Sequence, residues 1–167
     1  MVARYRSHVH PAYFAEVLND RGAMYGFPRL IVESNNHGIL TVNKLNEEFA
    51  YPYLYTEETL DKQTQEYRTR LGFNTLGPSK AFIINELRAV VVNESIEIPD
   101  RAILSEMTTY VVDENGKMGA EKGSNVDGER IHDDLVMALA MANHIHEERF
   151  EPIAVTDDFY VSLPDGR

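Results

Sequence analysis

The sequence has no cysteine and no tryptophan among its 167 residues. Without thiols there are no disulfides, no thiol nucleophile and no cysteine zinc ligands, a pattern that fits the cytoplasm. No apolar run approaches the roughly 20 residues of a membrane span, and the first residues carry no signal-peptide pattern, so neither a span nor a leader is expected. Positive charge is scarce: 16 Lys and Arg stand against 27 Asp and Glu, a net charge of −11. Such a chain repels a polyanion at long range, which argues against a simple nucleic-acid-binding module. It leaves room for a metal enzyme, because a bound cation inverts the local sign of a carboxylate cluster. There is no G-x-x-x-x-G-K-[ST] motif and hence no P-loop motor. Internal repeats and low-complexity stretches are also absent.

What is present suits one folded domain over residues 1–149, followed by a tail over 150–167 that has two prolines and no clear period. Val2–Val9 alternates and reads as a strand. Pro11 opens a helix to about Arg21, with Phe14, Val17 and Leu18 on one face, and Gly22 and Gly26 mark its end. Leu30-Ile31-Val32 is a short apolar run of the kind buried on both faces of a parallel sheet. Asn35 or Asn36 can cap a second helix bearing Ile39, Val42, Leu45 and Phe49.

Tyr51–Tyr55 is β-like, and the polar, basic stretch Lys62–Leu76 suits a hairpin or loop. A third helix begins at Ser79, with Phe82, Ile83, Leu87, Val90 and Val91 on its apolar side. Ile103–Val112 reads as mostly extended, with a turn at Asp113–Gly116 and a partner strand at Met118–Glu121. A polar loop spans Gly123–Glu129, and Asp133–His146 is a helix apolar on nearly every side, hence deeply buried. Alternating strands and helices give an α/β class.

Two places concentrate acidic chemistry. Glu33 stands at the carboxyl end of the buried strand, the edge where open α/β sheets collect ligands, although a solvated residue leaving the core looks the same in sequence. His132-Asp133-Asp134 opens the buried helix. One Asp there is explained by capping and the helix dipole; two after a His exceed what a cap requires. Carboxylates at a half-desolvated helix start are costly unless a cation is near. Glu33 with Asp133 and Asp134 therefore suggests an oxygen site for Mg²⁺ or Mn²⁺. Lys62, Arg68, Arg70 and Lys80 are candidate phosphate contacts, with a solvated face beside Glu57, Glu58 and Glu66 the alternative. His144 and His146 look like a solvated helix end, with the wrong spacing for a zinc motif.

Four segments resemble those of phage large terminases, in family order. Val32-Glu33-Ser34-Asn35-Asn36-His37-Gly38 resembles the E-x-N-N-x-G segment. Leu71-Gly72-Phe73-Asn74-Thr75, with Lys80 downstream, resembles the L-G-aromatic-x-T stretch and its lysine. Ile103–Met107 is similar to a strand-entry segment with a central Glu, here Glu106, and His132–Ala140 to the closing helix.

The resemblance implies a ribonuclease H-like mixed sheet flanked by helices, and a nuclease that cuts concatemeric DNA during genome packaging. Glu33 would match the second metal-binding carboxylate, Asp134 the late carboxylate and Asp133 an auxiliary ligand of a two-metal site. Lys80, Arg68, Arg70 and Asn36 would contact double-stranded DNA. Partners would be the terminase ATPase domain, the small terminase and the portal, in the cytoplasm of a bacterial host. Val2–Val9 would match the third strand of the family's sheet, so the first catalytic Asp is expected to be missing and the domain to be truncated at its N-terminus. A noncatalytic fragment or split subunit is the alternative, and a Holliday-junction resolvase-like nuclease a further one. Without its central strand, the sheet would either let Val2–Val9 move over to pair beside Glu33 or pair two chains edge to edge as a homodimer.

Overall fold

The computed structural model describes residues 3–61, 64–121, 123 and 131–147. Val2, Lys62, most of the loop expected over 123–129 and the tail over 150–167 lie outside the described residues. The described part is mixed α/β, with five helices and two small antiparallel sheets of two strands each. No helix among the described residues is long and apolar enough to cross a membrane.

Residues 3–10 form no strand, contrary to their alternating pattern. Alternation gives a strand only where a neighbour takes up the backbone groups, and this segment runs exposed with side-chain contacts instead. Helix α1 is Pro11–Met24, with the His10 imidazole accepting from the Ala12 amide at its start. It ends where Gly26 takes a φ of 73°. Helix α2, Gly38–Glu47, packs on α1 and buries Val42 and Leu45. Ile39, expected on that face, is exposed.

Between these helices and the rest of the fold lies the extended segment 30–34. Leu30 pairs in parallel with Leu54 and Glu33 with Phe73. The bonds are Leu30 N–H to the Tyr53 carbonyl (2.8 Å), Tyr55 N–H to Leu30 (2.9 Å), Phe73 N–H to Val32 (2.8 Å) and Ser34 N–H to Phe73 (2.8 Å). Leu30, Val32 and Ser34 thus use one edge; the pairing is parallel as expected, but it consists of two isolated bridges rather than a strand of a sheet, and residues 30–33 are half-buried rather than enclosed on both faces. Residues 3–10 do not pair beside Glu33, so that expectation is also corrected.

Two glycines let the chain come this close. A Cβ at Gly38 would collide with the Glu33 carbonyl oxygen, and one at Gly72 (φ 74°) would sit 2.7 Å from that of Val32. The segment also separates two apolar clusters. Leu30, Val32 and Leu54 join Ala15, Leu45 and Tyr51 on one side, while Ile31 joins Tyr55, Phe73, Ile83, Leu87 and Val136 on the other.

Strands β1 (Thr56–Leu60) and β2 (Tyr67–Leu71) form the hairpin expected in the polar stretch. Helix α3 is Gly77–Val92; Ile83 and Leu87 are buried, but Phe82 is 57% exposed. The stretch read as extended from Ile103 is instead helix α4, Arg101–Thr108. Asp100 caps it, accepting from the amides of Ala102 (2.7 Å) and Ile103 (3.2 Å). Only the β-branched and aromatic residues after it extend, as β3 (Tyr110–Val112) against β4 (Met118–Ala120). Asp113 Oδ1 closes their turn by accepting from the amides of Asn115 and Lys117.

Helix α5, Asp134–Glu147, packs against α3 and α4. It buries Leu135, Val136, Met137, Ala140 and Met141 but leaves Ala138 and Ala142 exposed, so it is not enclosed on every side. Alanine is apolar by type yet costs little at a solvated helix position. His144 is no solvated helix end: its Nδ1 meets Glu86 Oε2 at 2.8 Å and its ring packs against Tyr55, Phe73 and Phe82.

Candidate functional site

Glu33 leaves segment 30–34 at the point where Ser34 is bonded twice to the Phe73 carbonyl, through its amide and its hydroxyl. Asn35 then turns back. Its Nδ2 donates to Glu33 Oε1 (3.3 Å) and to the Thr75 carbonyl (2.8 Å), tying the carboxylate to the loop after β2. Asn36 takes a φ of 46° and is exposed; it makes the turn into α2.

The other acidic residues arrive from α5. Asp133 Oδ2 accepts from Lys80 Nζ at 3.0 Å, both side chains being about one-quarter exposed. Lys80 comes from the first turn of α3, and its ammonium lies 5.7 Å from the Tyr110 ring centroid. Asp134 Oδ2 meets Arg6 Nη2 at 3.2 Å and His132 Nδ1 at 3.6 Å.

Capping does not account for the two Asp side chains, because Glu106 does that work from α4. Its Oε2 accepts from the amides of Leu135 (2.7 Å) and Val136 (3.4 Å), and its Oε1 from Arg6 Nη1 (2.9 Å). Glu106 is 9% exposed. A buried carboxylate needs such partners, and the positive end of a helix is a favourable one. In sequence Glu106 sits in the stretch read as extended, which concealed its role. The available signal was Asp100 as a cap with Ile103 and Glu106 three apart, on one face of a helix.

Glu33, Thr75, Lys80, Asp133 and Asp134 line one concavity of about 300 Å³, floored by Met137 and Met141. A wider groove of about 980 Å³ shares Lys80, Asp133 and Asp134 and continues along β3 and β4 past Lys117. The residues proposed from sequence as ligands, Glu33, Asp133 and Asp134, therefore line the same concavity. Of the proposed DNA contacts among the described residues, only Lys80 joins them. Arg68 and Arg70 lie on β2, Arg68 paired with Asp61 at 3.0 Å and Arg70 opposite Glu57.

Do these residues suit a divalent cation? The donors are carboxylate oxygens, the hard ligands that Mg²⁺ and Mn²⁺ prefer. Thr75 Oγ1, in the wall of the concavity, is buried without a hydrogen-bond partner. Among the described residues, however, no three of His, Asp and Glu form a ready ligand cluster. The set fits a hydrated ion held through one or two carboxylates with water completing the shell, as is usual for Mg²⁺.

Tyr110 borders this site with its hydroxyl buried and unpartnered. Burial pushes the phenol well above the usual tyrosine range, and the Asp133 charge adds to it. Below about pH 10 the native and unfolded chains both keep this proton, so folding is unaffected. Above that the unfolded chain releases it first, and stability falls as pH rises. Tyr110→Phe should therefore flatten the alkaline loss of stability and leave stability at neutral pH unchanged or slightly higher, since the orphan hydroxyl is removed. Urea midpoints from pH 8 to 11 test this; an unchanged alkaline slope would show that other groups govern it.

No protein-family model matches the chain, and no curated protein matches it.

Proposed function

We propose that this chain is a nuclease domain of the phage large terminase type, a ribonuclease H-like DNA endonuclease dependent on Mg²⁺ or Mn²⁺. The observation that carries the reading is the meeting of Glu33 with Asp133 and Asp134 at one concavity, from positions far apart in sequence. Two of the ordered terminase-like segments supply these carboxylates, and a third supplies Thr75 with Lys80 downstream.

One or two of Glu33, Asp134 and Asp133 would hold the cation with water completing its shell, and such a cation when bound activates water and stabilises negative charge on a phosphodiester. Asn35 orients Glu33 by its hydrogen bond. Lys80 holds Asp133 in place and offers a positive charge at the site for a phosphate oxygen. The groove along β3 and β4 leads to the carboxylates and gives a DNA strand a path to them. With a net charge of −11, the chain gains affinity for DNA chiefly where a cation is held. Double-stranded DNA, the ATPase domain, the small terminase and the portal are the partners this reading proposes, in a bacterial host's cytoplasm. A homodimer in which two chains pair edge to edge is a further partner this reading proposes.

The second reading, a noncatalytic terminase fragment, is favoured by one observation. Lys80 and Arg6 already compensate Asp133 and Asp134. Calorimetric titration with Mn²⁺, alongside nicking of supercoiled DNA, separates the two. Binding with metal-dependent nicking supports the enzyme. A folded chain that neither binds Mn²⁺ nor nicks DNA in its presence is the fragment.

A further inference from the structure

We infer that residues 3–10 are an autoinhibitory strap whose Arg6 guanidinium competes with the cation for Asp134; this rests on the metal-site reading above. Ahead of His10, which stays as the cap of α1, the strap is held by side chains at three points among the described residues. Arg4 meets Asp100 at 3.4 Å, Tyr5 stacks on Phe14 with ring centroids 6.0 Å apart, and Arg6 spans Glu106 (2.9 Å) and Asp134 (3.2 Å). Residues 3–8 are exposed and none of residues 3–10 belongs to a strand, so the strap is released without breaking a sheet.

The two carboxylates beneath Arg6 differ in what release does to them. Glu106 keeps the amides of Leu135 and Val136 as partners, whereas Asp134, with 67% of its side chain exposed, becomes open to the concavity it lines. When the guanidinium leaves, Glu106 loses its counter-charge but keeps two amide donors at the positive end of α5. A cation arriving at Asp134 must displace it, since two positive charges at one carboxylate repel each other. The apparent affinity for the ion is lowered by the fraction of molecules in which Arg6 is seated. Regulation follows: whatever draws residues 3–10 away, such as a partner that binds the strap, raises cation affinity.

The experiment compares Mn²⁺ affinity by calorimetry in the whole chain and in its Arg6→Ala and Arg6→Lys variants. Arg6 is exposed, so removal should leave the fold intact, with circular dichroism as the check. Arg6→Ala should bind Mn²⁺ about five-fold more tightly, the scale of one exposed ion pair lost, with Arg6→Lys between it and the parent. The difference should shrink in high salt. Limited trypsin digestion of the parent gives a second readout: Mn²⁺ should speed cleavage after Arg4 and Arg6. Equal Mn²⁺ affinity in all three proteins, with strap cleavage indifferent to the ion, overturns the strap while leaving the metal site standing. Absence of Mn²⁺ binding in all three overturns both.

Discussion

On the proposed nuclease reading, Glu33→Ala and Asp134→Ala should each abolish the weak Mn²⁺-dependent nicking of supercoiled DNA expected of a chain without the family's first catalytic Asp, with little change in stability. A ligand to a catalytic ion acts on the reacting bond itself, and losing even a group that orients such a ligand costs roughly 10–100-fold. The folding cost is small for physical reasons. Asp134 is two-thirds exposed, and its partner Arg6 is an exposed side chain. The backbone of the Glu33 segment is held by Phe73 whatever side chain stands at 33. Asp133→Asn should do less to nicking if Asp133 is auxiliary, and should cost some stability by leaving Lys80 without its ion pair. Plasmid nicking that persists in both the Glu33 and the Asp134 variants would place the chemistry elsewhere.

The largest effect on folding is expected at Glu106. Glu106→Ala removes the acceptor for two amides at the start of α5 and the counter-charge of Arg6. A lost cap costs about 1 kcal/mol, and leaving buried donors unpaired about 1–3 kcal/mol, so the sum should be about 3 kcal/mol. For a chain of this size that lowers the melting temperature by roughly 6–12 °C. Glu106→Gln keeps an oxygen for the amides but presents a second donor face to Arg6, and should lose about half as much. Urea unfolding gives both numbers. A loss in Glu106→Ala below about 1 kcal/mol would mean that α5 is set in place by its apolar face alone.

Several elements were legible because their signals are local. Pro11 starts α1, Asp113–Gly116 closes a hairpin, and the short apolar run Leu30–Val32 lies in an extended segment that makes two parallel bridges, though not the buried sheet strand expected of it. Glu33 and the Asp pair were legible as candidates since each stands at the end of such an element. What failed depended on partners distant in sequence. The alternation at Val2–Val9 and the apolar residues from Ile103 are compatible with strands, but among the described residues 3–9 have no strand partner, and the second stretch is captured by the Asp100 cap. His144 looked solvated because its surroundings, Glu86, Tyr55 and Phe73, come from three other places in the chain. The role of Glu106, marked in sequence only as the central Glu of a family-like segment, and that of Arg6 are hidden for the same reason: their meaning comes from the amides and carboxylate they reach across the fold.

Segment 30–34 serves as the wall between two apolar clusters, sending Leu30 and Val32 to one and Ile31 to the other, while Leu54 and Tyr55 divide in the same way. Neither cluster can open without stripping side chains from this wall. The two should behave as one cooperative unit toward solvent protons. In native-state hydrogen exchange, the amides of Leu30, Ser34, Tyr55, Gly72 and Phe73, each bonded across the wall or the strands beside it, should exchange only through global unfolding and with a common free energy. Amides of the exposed β1–β2 hairpin beyond it should exchange through smaller openings. Separate exchange free energies for Leu30 and Phe73 would instead divide the molecule into two independent halves, with the candidate site at their seam.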